Sequence, residues 1–407
     1  MATATTFDYT VRDRAGKTLS GKLDAPDERA VAAKLRDMGY APVSISQHKD
    51  SALRKELSIP GFGPKVGLKD LAIFSRQFAT MINSGLSLIR ALNILAEQTE
   101  NKKLAEIVGD IRTDIETGRN LSDSIASHEE FPKLYVAMVR AGETAGMLDS
   151  VLLRIAETLE TDLELRRRIK SAMTYPVVVL IMAVCLTIVM LIFIVPVFVG
   201  MFESLGGELP LPTKMLLLLS SFIRKFWYLL FLGPPLAWKG FVQARKNEKV
   251  RFQLDRLKLK LPVFGNLFQK IALSRFARNF GSLLKAGVPI LSALEITADT
   301  VNNGVMGNAI NDVKVAVKEG ESVARPLQSH DVFPPMVVQM IAVGEDTGEM
   351  DTMLMKISEF YDQEVTALTE SLTAMLEPLM IGVLGGIVGA MVIALYMPMF
   401  KVFDLIE

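Results

Sequence analysis

Gly142-Glu143-Thr144-Ala145-Gly146-Met147-Leu148-Asp149 stands again as Gly344-Glu345-Asp346-Thr347-Gly348-Glu349-Met350-Asp351, an offset of 202 residues in a chain of 407. The same offset carries Phe74, Arg76 and Phe78 to Phe276, Arg278 and Phe280, and Pro176 and Pro196 to Pro378 and Pro398. Gly85, Gly118, His128 and Phe131-Pro132 return as Gly287, Gly320, His330 and Phe333-Pro334. No insertion or deletion separates the copies, which marks a duplicated structural unit. The glycines of the motif make a helix-to-helix turn. Asp149 and Asp351 then fall in the first turn of the next helix, where negative charge is favourable. Each copy runs from a polar, helical region into one long apolar segment.

Upstream of the motif, Asp70 to Ser84 places Leu71, Phe74, Phe78 and Met81 on one helical face. Gly85 breaks that helix, Ser87 and Asn101 are expected N-caps, Gly118 is a stop, and Pro132 begins another helix. Short glycine-bearing connections imply antiparallel neighbours, hence a compact bundle of about six helices. The last helix begins near Leu148 and has no strong stop before Tyr175-Pro176, so it is expected to continue into the apolar segment with a kink at Pro176. Residues 7–46 read as a small ββαβ module. Phe7 to Asp13 and Lys17 to Asp24 alternate as strands. Pro26-Asp27 opens a helix with Ala30, Val31, Leu35 and Met38 inward, Gly39 ends it, and a strand follows near 42–46. Residues 49–67, with Pro60, Gly61, Gly63, Pro64 and Gly67, read as a linker.

Half the residues are apolar and they gather in three stretches, the pattern of a membrane protein with large polar parts. A net charge of zero argues against nucleic acid as a partner. The single cysteine, Cys185, excludes an internal disulfide, and no Cys/His metal spacing exists. The first fifty residues carry no apolar signal region, so the N-terminus is expected in the cytoplasm. The first span is Tyr175 to Val199. An Arg224-Lys225 pair would be costly in mid-bilayer, so the second span is placed at 226–242, with 211–223 along the outer surface. The third is 379–397. Arg166, Arg167, Arg168 and Lys170 precede the first span, and Lys239, Arg245, Lys246, Lys249 and Arg251 follow the second. Both flanks are therefore cytoplasmic by the positive-inside rule.

The expected fold is a mainly α membrane protein: two repeated antiparallel helical bundles in the cytoplasm, three transmembrane helices and the N-terminal ββαβ module. The boundaries are a module over 1–48, a linker over 49–68, a first bundle over 69–170 and a transmembrane helix over 171–200. An external loop over 201–225, a second transmembrane helix over 226–244 and a connector over 245–270 follow. The second bundle covers 271–372, the third transmembrane helix 373–398, and an external tail 399–407.

A search for chemistry finds no phosphate-binding loop and no nucleophile constellation. His128 and His330 read as loop histidines beside Phe-Pro, with no nucleophile near them in sequence. No catalytic residue, metal or cofactor is expected. Gly142, Glu143, Gly146 and Asp149, with Gly344, Glu345, Gly348 and Asp351, form either a structural turn or a partner-docking surface. An oxygen-ligand cation site between subunits is a further alternative. Glu377, at the inner edge of the third span, is a candidate intramembrane carboxylate or an interfacial one. Gly382, Gly385, Gly386 and Gly389 form two interleaved G-x-x-x-G patterns, which suit close helix packing within the chain or between copies.

The duplicated G-E-x-x-G-x-L-D unit, the paired prolines, Glu377-Pro378, the run from Arg76 to Leu86 and the loop Leu205-Gly206-Gly207-Glu208-Leu209-Pro210-Leu211-Pro212-Thr213 together resemble the type II secretion system protein F family. That family supplies the inner-membrane platform of type IV pilus and type II secretion machines, and the phrasing is closer to the pilus-assembly branch. The resemblance implies a non-catalytic homo-oligomer in the lipid bilayer of the cytoplasmic membrane. Its bundles would face a cytoplasmic hexameric assembly ATPase, and its spans would meet pilin or pseudopilin subunits and other inner-membrane assembly proteins. A rival reading is a membrane transporter built on the duplicated unit, although three spans with one acid make a poor pathway.

Overall fold

The computed structural model describes residues 5–12, 18–25, 28–37, 39–47, 65–203, 210–245, 247–262 and 264–403. Residues 49–64 of the expected linker, Met38, His48, the loop residues 205–209 and the tail beyond 403 lie outside the described residues. The chain divides into two compact units, one within residues 1–65 and one spanning 66–407.

In the first unit, β1 (Thr5–Arg12), β2 (Thr18–Ala25) and β3 (Ala41–Gln47) form an antiparallel sheet in the order β2-β1-β3. The register sets Phe7 opposite Leu23 on one side and Gln47 on the other, and slips between Thr10 and Val11 against β3. Helix α1 (Glu28–Asp37) buries Val31 and Leu35 against Val11 and Ala25. Those two side chains are four residues apart and share one helical face.

In the second unit the first repeat comprises α2 (Leu68–Asn83), α3 (Leu88–Gln98), α4 (Lys102–Glu116), α5 (Leu121–Ala126), α6 (Lys133–Ala145) and α7 (Leu148–Val189). A π-helical turn at Met190–Ile194 leads into α8 (Val195–Glu203), followed by α9 (Leu211–Lys225), α10 (Trp227–Ala244) and α11 (Glu248–Lys260). The second repeat comprises α12 (Phe264–Lys285), α13 (Ile290–Thr300), α14 (Gly304–Lys318), α15 (Ala324–Leu327), α16 (Pro335–Thr347) and α17 (Met350–Phe403). Helices α13, α14 and α16 reproduce the bounds of α3, α4 and α6 at the offset of 202 residues, so the duplication extends to element ends.

The caps explain those bounds. Asn101 Oδ1 accepts from the Lys103 and Leu104 amides at 3.1 and 3.3 Å, and Asn303 does the same for Val305 and Met306 at 3.0 and 3.1 Å. Each satisfies donors that open a helix. Ser87, expected to cap α3, stands at the N-cap but makes no side-chain cap bond. In each repeat the core is seeded by the same aromatic group. Phe74 stacks on Phe78 and meets Phe131 edge-on; Phe276 lies beside Phe280 and meets Phe333 edge-on. Phe78, Phe276 and Phe280 are fully buried, each contributing about 2–3 kcal/mol through burial. The two repeats share one continuous apolar core.

Helices Leu148–Gly200 and Met350–Met397 are long and apolar enough to cross a membrane. α7 runs through Pro176 without interruption. Toward their far ends the long helices expose large apolar side chains, Ile181 and Phe193 on one and Ile381 on the other. The segment expected along the outer surface forms α9. α9 packs on the distal parts of both long helices, with Leu216, Leu217 and Ile223 against Leu191, Val195 and Leu395. The Arg224-Lys225 pair does not exclude this packing because it stands at the last turn of α9. There Arg224 lies 3.5 Å from Ser220 Oγ, and the Lys225 ammonium sits over the Phe226 ring. α10, the second expected span, carries Pro234, Pro235 and Lys239, which dilute its apolar character.

Candidate functional site

The duplicated turn is built by packing and hydrogen bonding. Gly146 and Gly348 end α6 and α16 at φ +67 and +75, a left-handed conformation that glycine adopts without steric cost. Gly142 lies where α6 crosses α7: a Cβ there would sit 2.9 Å from Val151 Cβ. At Gly344 the same addition would meet the Met350 Cα at 2.8 Å. The first glycine of the motif therefore permits close helix approach, and the second permits the reversal.

The glutamates of the motif face inward. Glu143 accepts from the Leu121 and Ser122 amides at 2.7 and 3.1 Å and from the Ser122 hydroxyl at 2.6 Å. Glu345 accepts from the Val323 amide at 2.8 Å and the Ala324 amide at 3.2 Å. Each carboxylate thus caps the short helix that precedes it, α5 or α15, from more than twenty residues away, and meets the positive end of that helix. Asp149 and Asp351 stand in the first turns of α7 and α17. The exposed part of the Gly142–Asp149 turn is Thr144, Ala145, Gly146, Met147 and Asp149. Among the described residues, no group of three or more His, Cys, Asp or Glu side chains converges as a metal site would require.

A second repeated pair was not anticipated from sequence. Arg76 grips Glu160 with two hydrogen bonds, Nε to Oε1 at 2.7 Å and Nη2 to Oε2. Arg278 pairs with Asp362, whose other oxygen accepts from Ser274 Oγ at 2.5 Å. Both arginines sit on the first helix of their repeat and both acids on the long helix. The repeated arginines and the acids at matching positions were the available signal. The Arg76 bond holds Glu160 below the usual carboxylate range. Asp255 of α11 was also missed. It is 2 % exposed, and its carboxylate accepts from the Gly304 amide at 3.0 Å and from Lys258 at 2.8 Å, tying the connector to α14.

In the apolar part, Gly382, Gly385, Gly386 and Gly389 of α17 have open space where a Cβ would stand. Their small face is therefore not consumed by packing against α7 or α9. Glu377 is exposed on α17 and has no hydrogen-bond or ion-pair partner among the described residues. Ser220 of α9 donates to the Leu191 carbonyl at 2.5 Å, and Thr213 donates to the Ala394 carbonyl at 2.5 Å. Leu191 lies in the π-helical turn, where the regular hydrogen-bond ladder is interrupted. The two hydroxyls bind α9 to both long helices.

The model of the type II secretion system protein F family matches twice, over residues 74–196 and 276–398, and the model of that protein's N-terminal domain matches residues 1–46. The chain is 45 % identical over 400 residues to the type IV pilus assembly protein PilC of Thermus thermophilus, covering 97 % of this chain and 98 % of that one. It is 40 % identical to the PilC of Myxococcus xanthus, over 98 % of this chain and 96 % of that one. It is 29 % identical to the type II secretion system protein F of Vibrio cholerae, over 98 % of this chain and 99 % of that one. The two family matches are spaced like the repeated turns, and each includes a bundle and the apolar helix that continues from it. On this evidence the chain belongs to the type II secretion system protein F family.

Proposed function

We propose that this chain is the non-catalytic platform of a type IV pilus assembly machine in the cytoplasmic membrane, coupling a cytoplasmic hexameric ATPase to the insertion of pilin subunits. The observation that carries this reading is mechanical. α7 and α17 each begin inside a bundle and continue without a break into an apolar stretch. At 1.5 Å per residue they extend roughly 60 and 80 Å. A displacement imposed on a bundle is delivered along such a helix to its membrane end. The relatives named for type IV pilus assembly support the pilus branch.

The shared core supports a topology with both bundles on one side of the membrane. The chain leaves the second unit's bundles along α7 and re-enters them at α12, so in this reading residues 211–244 return it to the side it left. α9 and α10 carry this second crossing, and the exposed Leu232, Leu236 and Trp238 of α10 are the side chains that lipid would cover. Both bundles then face the cytoplasm and the tail lies outside. The open glycine face of α17 meets a second copy, and the exposed flank of the Gly142–Asp149 turn and its repeat contact the ATPase. The test is complementation. A strain lacking this chain should keep its pilin in the membrane without filaments and regain them with the wild-type chain. Normal filaments in the deletion strain would overturn the reading.

A further inference from the structure

A cavity of about 560 Å³ lies between the two repeats, bounded by α6 and α7 on one side and by α12 and the end of α13 on the other. This is the size range of small-molecule sites. Its charged lining is Lys133, Arg166, Arg251, Arg275 and Arg278 against Asp162 and Asp299. Lys133 is matched by Asp299 at 2.6 Å, and Arg278 by Asp362. The remaining arginines are short of counter-charge. Arg166 and Arg275 share Asp162, at 2.9 and 3.3 Å, and Arg251 has no partner among the described residues.

Arg275 is the informative member. Its side chain is 19 % exposed, and its Nε is buried without a hydrogen-bond partner, as is the Asp162 Oδ1 that faces it. Burial pushes its guanidinium below the usual arginine range, against the pull of Asp162. A buried cation with an unused donor is unfavourable unless an acceptor arrives, and a carboxylate oxygen held only by an ion pair at 3.3 Å can still accept a hydrogen bond. Leu68, Met138, Ile155 and Leu159 supply an apolar wall to the same cavity. A ligand that answers all of this carries phosphate oxygens for the arginines, a hydroxyl or amine for Asp162, and a flat organic part for the wall.

We infer that the cavity between the repeats binds a small phosphate-bearing organic anion, of the size and chemistry of a nucleoside diphosphate. A lipid headgroup fits less well. Arg166 is nine residues and Ile155 twenty residues before Tyr175 along α7, which is roughly 14 and 30 Å from the start of the apolar stretch. Because the lining comes from both repeats, an occupant would tie their relative position to its concentration. The inference concerns binding alone and stands apart from the platform reading.

The experiment is equilibrium dialysis of labelled ADP against the full chain in detergent, with inorganic pyrophosphate and adenosine as competitors. ADP should bind saturably, pyrophosphate should displace it and adenosine should not. Arg251→Gln, on the surface and unpaired, should weaken binding about tenfold, the usual scale for one charge-assisted hydrogen bond. Arg275→Gln should weaken it further, while Arg90→Gln, exposed and outside the cavity, should not change it. Absence of saturable ADP binding at about 1 mM, binding of pyrophosphate but not ADP, or affinity unchanged by both Arg251→Gln and Arg275→Gln would each overturn the inference. Loss of filament assembly with ADP binding intact would implicate the platform reading instead.

Discussion

Glu143 and Glu345 each turn a carboxylate back onto a short helix formed earlier in the chain, and Gly142 and Gly344 clear the space in which the long helices start. Replacing Glu143 by Ala leaves two amides and a hydroxyl without their charged acceptor, so it should destabilise the fold by about 1.5–3 kcal/mol. Chemical denaturation of the purified chain would measure the loss, and a change near zero would refute the capping role. Gly142→Ala forces a methyl group against Val151 and should cost about 1–3 kcal/mol. Gly385→Ala, which enters open space, should leave stability unchanged and act only on association between copies. The ion pair between Arg76 and Glu160 has a pH signature. A carboxylate whose folded pKa is depressed adds stability above its unfolded value, near 4.3, and loses it as pH falls through the folded value. The stability gap between wild type and Arg76→Gln should therefore be present at pH 7, shrink as pH falls below the unfolded value and vanish below the depressed folded one. With side chains 36 and 41 % exposed, the gap should be under about 1 kcal/mol. The sequence exposed the repeated glycines and acids but not their partners. Glu143 reaches a helix more than twenty residues back, and no local period encodes that.

Helix ends were the more legible level. Asn101, Gly118 and Pro132 stand where α4 begins, α4 ends and α6 begins, because local chemistry fixes a helix terminus within a few residues. The packing of α9 is not legible in the same way, because the sequence shows Arg224 and Lys225 but not that they fall at a helix end beside Ser220 and Phe226. The Ser220 hydroxyl is the element-scale link, joining α9 to the π-helical turn that follows α7. Ser220→Ala leaves a buried carbonyl without this donor and should cost about 1–3 kcal/mol. The loss should appear as earlier proteolysis between α8 and α10, and an unchanged cleavage pattern would argue against the tether. Lys170→Pro, on the exposed side of α7 between bundle and apolar stretch, removes one backbone bond and bends the helix. If α7 transmits displacement, filament assembly should fail in this variant while ATPase capture persists.

At the scale of the whole molecule, the duplication was plain in the sequence and the junction between its copies was not. The shared core, the cation-rich cavity and the buried Thr158–Ser282 contact at 3.2 Å all depend on which faces of the repeats meet. Neither copy read alone carries that information. The proposed topology has both bundles in the cytoplasm, so single cysteines at Arg90 and Lys318 in a Cys185→Ala background should both resist an impermeant label in intact cells. The central claim is that this chain connects a motor to filament subunits without doing chemistry itself. It is tested most directly by recovering the tagged chain from its own membranes in mild detergent. The bound proteins are then identified, and ATP hydrolysis is assayed with and without the chain. The account predicts a hexameric ATPase and pilin subunits among the bound proteins, with all hydrolysis residing in the ATPase. Finding neither partner, with the chain alone hydrolysing ATP or moving a substrate in liposomes, would contradict it.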